Sequence, residues 1–346
     1  QEWTFVVVGD RERVARLAEV IRVALARDAY DMYGPAAIVI VAHEKGAPFG
    51  REDDGCAMQS MMLAAHSLGL EFHAWLNPLR VKTAETPAAL ADNNPYTLLA
   101  GEYPQYFMEW EGGVYLNPAY PAVRTMIADG AAEIVENYDV DGIHFDDYFY
   151  PTTDPSIDAA QFAASGETDL TAWRRANVTR LVKAVHDAVK AADPTLRFGV
   201  SPQGNPDNDR NEQYTDLSVW LTASGADAVV DYLCPQIYWG YGYTLSSGST
   251  RFAFENITAE WLALPRAEST ALYFGLGAYR VGVGDGGANA DSVSQWCTGS
   301  ALTRQVTDLR SAGAGGWALY RYGSLFRSDE SGLAAAERAA LTALDG

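Results

Sequence analysis

The run Val140-Asp141-Gly142-Ile143-His144-Phe145-Asp146-Asp147-Tyr148-Phe149-Tyr150-Pro151 decides how the chain is read. Its first half has the look of a short buried strand, with Val140, Ile143 and Phe145 apolar, and it passes without a break into two adjacent carboxylates, three aromatics and a proline. By the two-residue period of a strand, Gly142, His144 and Asp146 share one face and Ile143 and Phe145 the other. The apolar pair is expected against surrounding helices, which turns His144 and Asp146 toward the mouth of a crevice. Two acids at the end of a buried strand are costly unless they are paired, hydrated or used. Carboxylates for proton transfer and displacement, beside Tyr148, Phe149 and Tyr150 as flat faces for sugar rings, are what carbohydrate cleavage requires.

Outward from this run the chain alternates strand-like and helical stretches. Apolar runs at residues 5–8, 37–42, 72–76, 142–145, 198–201, 232–238, 272–276 and 316–320 are predicted strands. Helical patterns fall at 11–27, 56–68, 122–137, 170–192, 257–264 and 303–311, with Asp169 and Asp216 where caps are wanted. Eight strands with intervening helices predict the α/β class and a (β/α)8 barrel, although a doubly wound open sheet shares the alternation. Strand after strand from Phe72 onward ends in polar and aromatic residues, which favours the barrel, whose chemistry gathers at one end.

The chain has 346 residues, enough for one barrel with an additional piece. No apolar run approaches the roughly 20 residues of a membrane span. A formal charge of −20 argues against nucleic acid as a partner, because phosphate binding wants a basic face. Cys56, Cys234 and Cys297 are too few and too scattered for a disulfide framework or a zinc site, and each is read as a small buried apolar residue. No metal site or cofactor is expected. No signal-peptide pattern is read.

Asp146 is the favoured catalytic carboxylate, with Asp147 either its partner or a structural hydrogen-bond acceptor. His144 is read as a barrel histidine with its bonds satisfied, since no second histidine stands at ligand spacing. The candidates for contact with substrate are Trp75, Asn77, Arg80, His144, Tyr148, Gln203, Gln236, Tyr238, Trp239, Tyr279 and Trp317. Arg80 and Arg280 are each suited either to a substrate carboxylate or to a structural ion pair. Asp207, Asp209, Glu212 and Asp216 are open as the second carboxylate, as is the Asp146–Asp147 pair acting together.

Six longer motifs carry a resemblance: HAWLNPLRV at 73–81, YLNPAYPAVR at 115–124, VDGIHFDDYFYP at 140–151, FGVSPQGN at 198–205, DYLCPQIYWGY at 231–241 and LYFGLGAYRVG at 272–282. Over residues 72–326 the chain resembles the glycosyl hydrolase-like ten family. The resemblance implies a TIM barrel, glycoside hydrolysis at its C-terminal face, a polysaccharide substrate such as the glycan strands of peptidoglycan, and an extracellular or envelope location. Asp216 matches a tyrosine-x-aspartate segment of the family and so joins Asp146 and Asp147 as a catalytic candidate. Gln203 follows Pro202 where the family often has an aromatic.

Residues 2–70 resemble instead part of a flavin-dependent nitroreductase, on Glu2 to Val8 with the Arg-rich helix after it, residues 35–41, and Asp54 to Leu70. The resemblance lacks the flavin-phosphate grip of those enzymes and implies no flavin. The chain therefore reads as a chimera of a 1–71 segment and a 72–346 barrel, with weakened activity. The first two strands are expected to complete the ring in parallel, beside the last strand and the strand at 72–76, with Phe5, Val7, Ile38 and Ile40 buried. A carbohydrate-binding barrel without turnover and, more remotely, a flavin-dependent reductase are the other readings.

Overall fold

Short apolar runs make most strands of the computed structural model, several of them where the sequence pattern placed them. The structure describes residues 4–8 and 38–42, as backbone, and residues 71–86, 90–326 and 331–344. The first two strands, β1 (Thr4–Val8) and β2 (Ile38–Ala42), form a two-stranded sheet. They pair antiparallel, Thr4 opposite Ala42 through Val8 opposite Ile38. This corrects the expectation of parallel pairing beside the last strand and β3. Apolar alternation specifies a strand but not its neighbour, and each of these runs finds a full-length partner in the other. The burial of Phe5, Val7, Ile38 and Ile40 and the helices expected at 11–27 and 56–68 lie outside the described residues.

The remaining strands are β3 (His73–Leu76), β4 (Arg80–Lys82), β5 (Phe107–Trp110), β6 (Gly113–Leu116), β7 (Gly142–Phe145), β8 (Arg197–Val200), β9 (Tyr232–Leu233), β10 (Gln236–Ile237), β11 (Ala271–Gly277) and β12 (Gly316–Tyr320). The helices that bear on the site and its packing are α1 (Pro121–Asn137), α2 (Leu170–Ala192), α3 (Leu217–Thr222), α4 (Phe254–Leu262), α5 (Ala301–Ser311) and α6 (Leu333–Thr342). The chain divides into two units, one of Gly69–Gln236 and Trp261–Tyr273, the other of Gln1–Leu68, Ile237–Glu260 and Phe274–Gly346.

In the first unit β3, β7, β8, β9 and the start of β11 are neighbours in that order, all parallel. Mostly parallel strands with helices make this an α/β fold. Ile143, Phe145, Phe198 and Val200 are fully buried, as are Val178, Leu181, Val182, Val185 and Val189 of α2. Pro121 starts α1 at a position that needs no amide donor, and Asp169 caps α2 by accepting from the Ala172 amide. A separate antiparallel ribbon, in the order β4-β6-β5, leaves the end of β3. The sequence reading did not include this ribbon. It also read residues 232–238 as one strand, whereas Cys234 and Pro235 separate β9 from β10.

In the second unit β11 pairs with β12. Trp296, Leu302, Val306 and Leu309 are buried, and the buried Glu337 of α6 accepts from the Ala301 and Leu302 amides at the start of α5. A carboxylate there meets the positive end of the helix. Cys234 of the first unit is buried as expected, but Cys297 is exposed, which corrects its reading as a core residue, and Cys56 lies outside the described residues.

Candidate active site

Parallel register places the site. Trp75 stands opposite His144, His144 opposite Gly199 and Gly199 opposite Tyr232, so the same face two residues further on carries Asn77, Asp146, Ser201 and Cys234. Gly199 makes room in the lower row. A Cβ on it would lie 2.2 Å from the Tyr232 ring, and without one the Tyr232 hydroxyl reaches both His144 Nδ1 and His73 Nδ1, each at 2.9 Å. One hydroxyl has a single proton to give, so it donates to one ring and accepts from the other. Burial first, and then the charge of His73, hold the His144 imidazole down at about 4, so it is neutral at ordinary pH. His144 is thus a satisfied histidine beneath the acids.

In the upper row Asn77 Nδ2 donates to both oxygens of Asp146, at 2.9 and 3.2 Å, and the Tyr148 amide donates to Oδ1 at 3.1 Å. Asp147 Oδ1 accepts from Gln236 Nε2 at 2.9 Å, which also reaches the Ser201 carbonyl at 3.0 Å. The Gln203 side chain is a second donor to Asp147. Both aspartates are 6% exposed. Burial pushes Asp146 up to about 6; the bonds from Asn77 and Tyr148 pull it back, the charge of Asp147 adds to the rise, and Arg80 opposes it. Asp147 is raised too, by burial, against the bonds from Gln236 and Gln203.

A third carboxylate stands behind these two. Asp209 opens a wide helical turn, Asp209–Gln213, and is wholly buried. Its Oδ1 accepts the Gln203 amide at 2.9 Å while Oδ2 has no hydrogen-bond partner. Burial raises it well above the ordinary carboxylate range, and the charge of Asp147 adds to that. Gln203 therefore touches both acids, Asp209 with its backbone and Asp147 with its side chain. Asp216 is not part of this group; it is the N-cap of α3, accepting from the Val219 amide and the Ser218 hydroxyl.

Around the acids Trp75 and Tyr148 are each 56% exposed and the Arg80 side chain is exposed, while the Arg80 amide donates to Asn77 Oδ1 at 3.0 Å. Tyr238, Trp239, Tyr279 and Trp317 belong to the second unit. There Tyr238 stacks on Tyr320 and meets Tyr279 edge-on, and Trp239 stacks on Phe252. Arg280 lies over the Tyr279 ring at 4.7 Å and donates to the Tyr238 carbonyl, so its guanidinium is engaged by the protein itself. Among the described residues no three His, Cys, Asp or Glu side chains are grouped as metal ligands.

Residues 14–292 match the family described as Glycosyl hydrolase-like 10. The chain belongs to that family. Membership therefore does not begin at residue 72, and the matched range takes in most of the front segment that its motifs set apart. Among curated members the chain is 28% identical over 325 residues to Glycosyl hydrolase YngK of Bacillus subtilis (strain 168), covering 87% of this chain and 59% of that one. It is 32% identical over 256 residues to Glycosyl hydrolase DigH of Escherichia coli (strain K12), covering 65% of this chain and 54% of that one. The chain thus spans between half and three-fifths of these relatives' length. Among solved structures the glycoside hydrolase domain of PgaB (BpsB) from Bordetella bronchiseptica gives a TM-score of 0.45 at 15% identity, over 79% of this chain and 75% of that one.

The structure thus brings Asp146, Asp147, Asn77, Gln203 and Gln236 together and leaves Asp216 outside. Two neighbours of this group were not distinguished by sequence. Tyr232 was read only as the start of a strand, and Asp209 was one of four acids in a loop. Only the close approach permitted by Gly199 and the turn at Asp209–Gln213 reveal them.

Proposed function

We propose that the protein is a glycoside hydrolase that cleaves the glycan strands of bacterial cell-wall polysaccharide, outside the cell or in its envelope, with Asp146 as proton donor and Asp147 as the second carboxylate. The observation that carries this is the pair of strand-end acids held by neutral amides. A carboxyl group whose proton is retained to about pH 6 can protonate a glycosidic oxygen, and a neighbour that ionises can act as base or nucleophile. Asn77 orients the donor through its two bonds, and Gln236 and Gln203 orient the partner. Trp75 and Tyr148 supply stacking faces, and Arg80 a cation for a lactyl or uronate carboxylate. Family membership supports the carbohydrate class.

The test is release of new reducing ends from peptidoglycan glycan strands stripped of their peptides. Wild-type protein should release them, and Asp146→Asn should lose at least about a thousandfold in kcat while keeping its fold, because an amide cannot deliver the proton. Wild-type turnover in the folded Asp146→Asn protein would remove Asp146 from the mechanism. Binding of strands without turnover by the wild type would identify a carbohydrate-binding protein in place of an enzyme.

A further inference from the structure

The ribbon of β4, β6 and β5 carries a second feature that the proposed chemistry does not use. Its β5–β6 hairpin closes on Glu111 and Gly112, with Trp110 and Gly113 the last pair. Both turn residues are left-handed, at φ +46° and +76°. A two-residue turn of this kind favours asparagine or aspartate before the glycine, because other side chains are strained there. Glutamate is a poor choice for the turn, and the place it occupies suggests another reason for it. It stands at the rim of a cavity of about 350 Å³ lined by Lys82, Tyr96, Glu109, Trp110 and Glu111 with the chain from Gly112 to Val114.

The lining is ordered from within. The Tyr96 hydroxyl donates to Glu109 Oε1 at 2.9 Å, Lys82 Nζ stands 5.8 Å above the Tyr96 ring, and Phe107 meets that ring edge-on at 5.0 Å. Trp110 is half-buried and has no aromatic partner among the described residues. Two aromatic faces, two carboxylates and one ammonium around a space of this size suit a polyhydroxylated ring, which needs a flat apolar contact and hydrogen-bonding groups at its edge. The cavity is also tied to the acids. The Arg80 amide bonds Asn77, Asn77 bonds Asp146, and Lys82 lies two strand residues beyond Arg80, roughly 7 Å along β4.

We propose that this cavity is a remote glycan subsite, which holds a further saccharide unit of the strand whose bond lies at Asp146. The proposal rests on the glycoside hydrolase reading. The subsite confers preference for long strands, with Trp110 as its stacking face and Glu111 and Lys82 as hydroxyl partners.

The experiment measures binding of N-acetylchito-oligosaccharides, a disaccharide and a long oligomer, by calorimetry to the full chain carrying Asp146→Asn, so that nothing is consumed. Trp110→Ala and Glu111→Asn are added singly. The second places a favoured residue in the turn, so it removes the carboxylate and keeps the hairpin even if Trp110→Ala fails to fold. Each is expected to weaken the long oligomer by about tenfold and leave the disaccharide unchanged. Equal affinity for the long oligomer in the folded Glu111→Asn protein, or an equal loss for both lengths, would overturn the subsite. In either case, cleavage of glycan strands by the wild type would leave the Asp146 reading standing. If the wild type neither binds nor cleaves glycan of any length, the hydrolase reading fails and the subsite fails with it.

Discussion

Two groups of buried carboxylates in the first unit differ in what faces them. Asp158 and Arg174 are almost wholly buried and form a two-pronged pair, Nε to Oδ2 at 2.9 Å and Nη2 to Oδ1 at 2.6 Å. The remaining guanidinium donors reach the carbonyls of Thr153 and Asp154 and the Tyr214 hydroxyl, between the rings of Tyr150 and Tyr214. Asp146, Asp147 and Asp209 are buried too, yet their hydrogen-bond donors are neutral amides. Burial alone does not decide the fate of an acid. A cation within bonding distance fixes the charge and makes the acid structural, whereas amide donors hold the side chain in place and leave the proton movable.

The same substitution should therefore have opposite consequences in the two places. Asp158→Asn leaves Arg174 buried without a counter-charge and should cost about 3–5 kcal/mol of unfolding free energy in urea titration near neutral pH. Asp146→Asn, which replaces a costly buried charge by a neutral amide, should leave stability unchanged or raised. A cost below about 1 kcal/mol for Asp158→Asn would show that the pair is no more structural than the site, and the contrast would collapse.

How much of this was legible beforehand follows from the same physics. The apolar runs at 142–145 and 316–320 coincide with β7 and β12, and the capped run 170–192 coincides with α2. The facing of Asp146 away from Ile143 and Phe145 followed from the two-residue period. Asp169 and Asp216 were both placed as caps, and the cap role is what takes Asp216 away from the acids. The partners of β1 and β2 were not legible, because pairing is decided by which edges meet rather than by the pattern within one strand. The ribbon was missed because β4, β5 and β6 are three or four residues long and their hairpin turn lacks the usual asparagine. Asp209 was indistinct among Asp207, Glu212 and Asp216, since nothing periodic in a loop says which acid points inward.

A smaller effect lies in the dependence on pH. Asp146 is raised from an ordinary value near 4 to about 6, so across that interval the folded protein keeps a proton that the unfolded chain has lost. Stability contributed by the protonated form is complete below about 4 and is lost as pH rises through 6. Asp147 and Asp209 act in the same direction. Urea midpoints from pH 4 to 8 should show Asp146→Asn gaining on the wild type by about 1–3 kcal/mol, with the gain levelling above the folded value. The same titration removes the proton donor, so kcat/KM of the wild type should fall as pH rises through about 6. A flat difference between the two proteins would mean that Asp146 is ionised throughout, as the charge-paired setting would have made it.

The smallest expected effect is at Asp209, and it tests the contrast most finely because this acid is as buried as Asp158. Burial favours its protonated form, and an asparagine differs from that form little in charge or shape. The asparagine carbonyl can still accept the Gln203 amide, and its Nδ2 would stand where Oδ2 already lacks a partner. Asp209→Asn should therefore change unfolding free energy by less than about 1 kcal/mol, whereas Asp209→Ala strips the acceptor from Gln203 and should cost about 1–3 kcal/mol. If Asp209→Asn proves as damaging as Asp158→Asn, then Asp209 is ionised against a donor stronger than an amide. The division between acids fixed by a cation and acids held by amides would then fail at its most buried member.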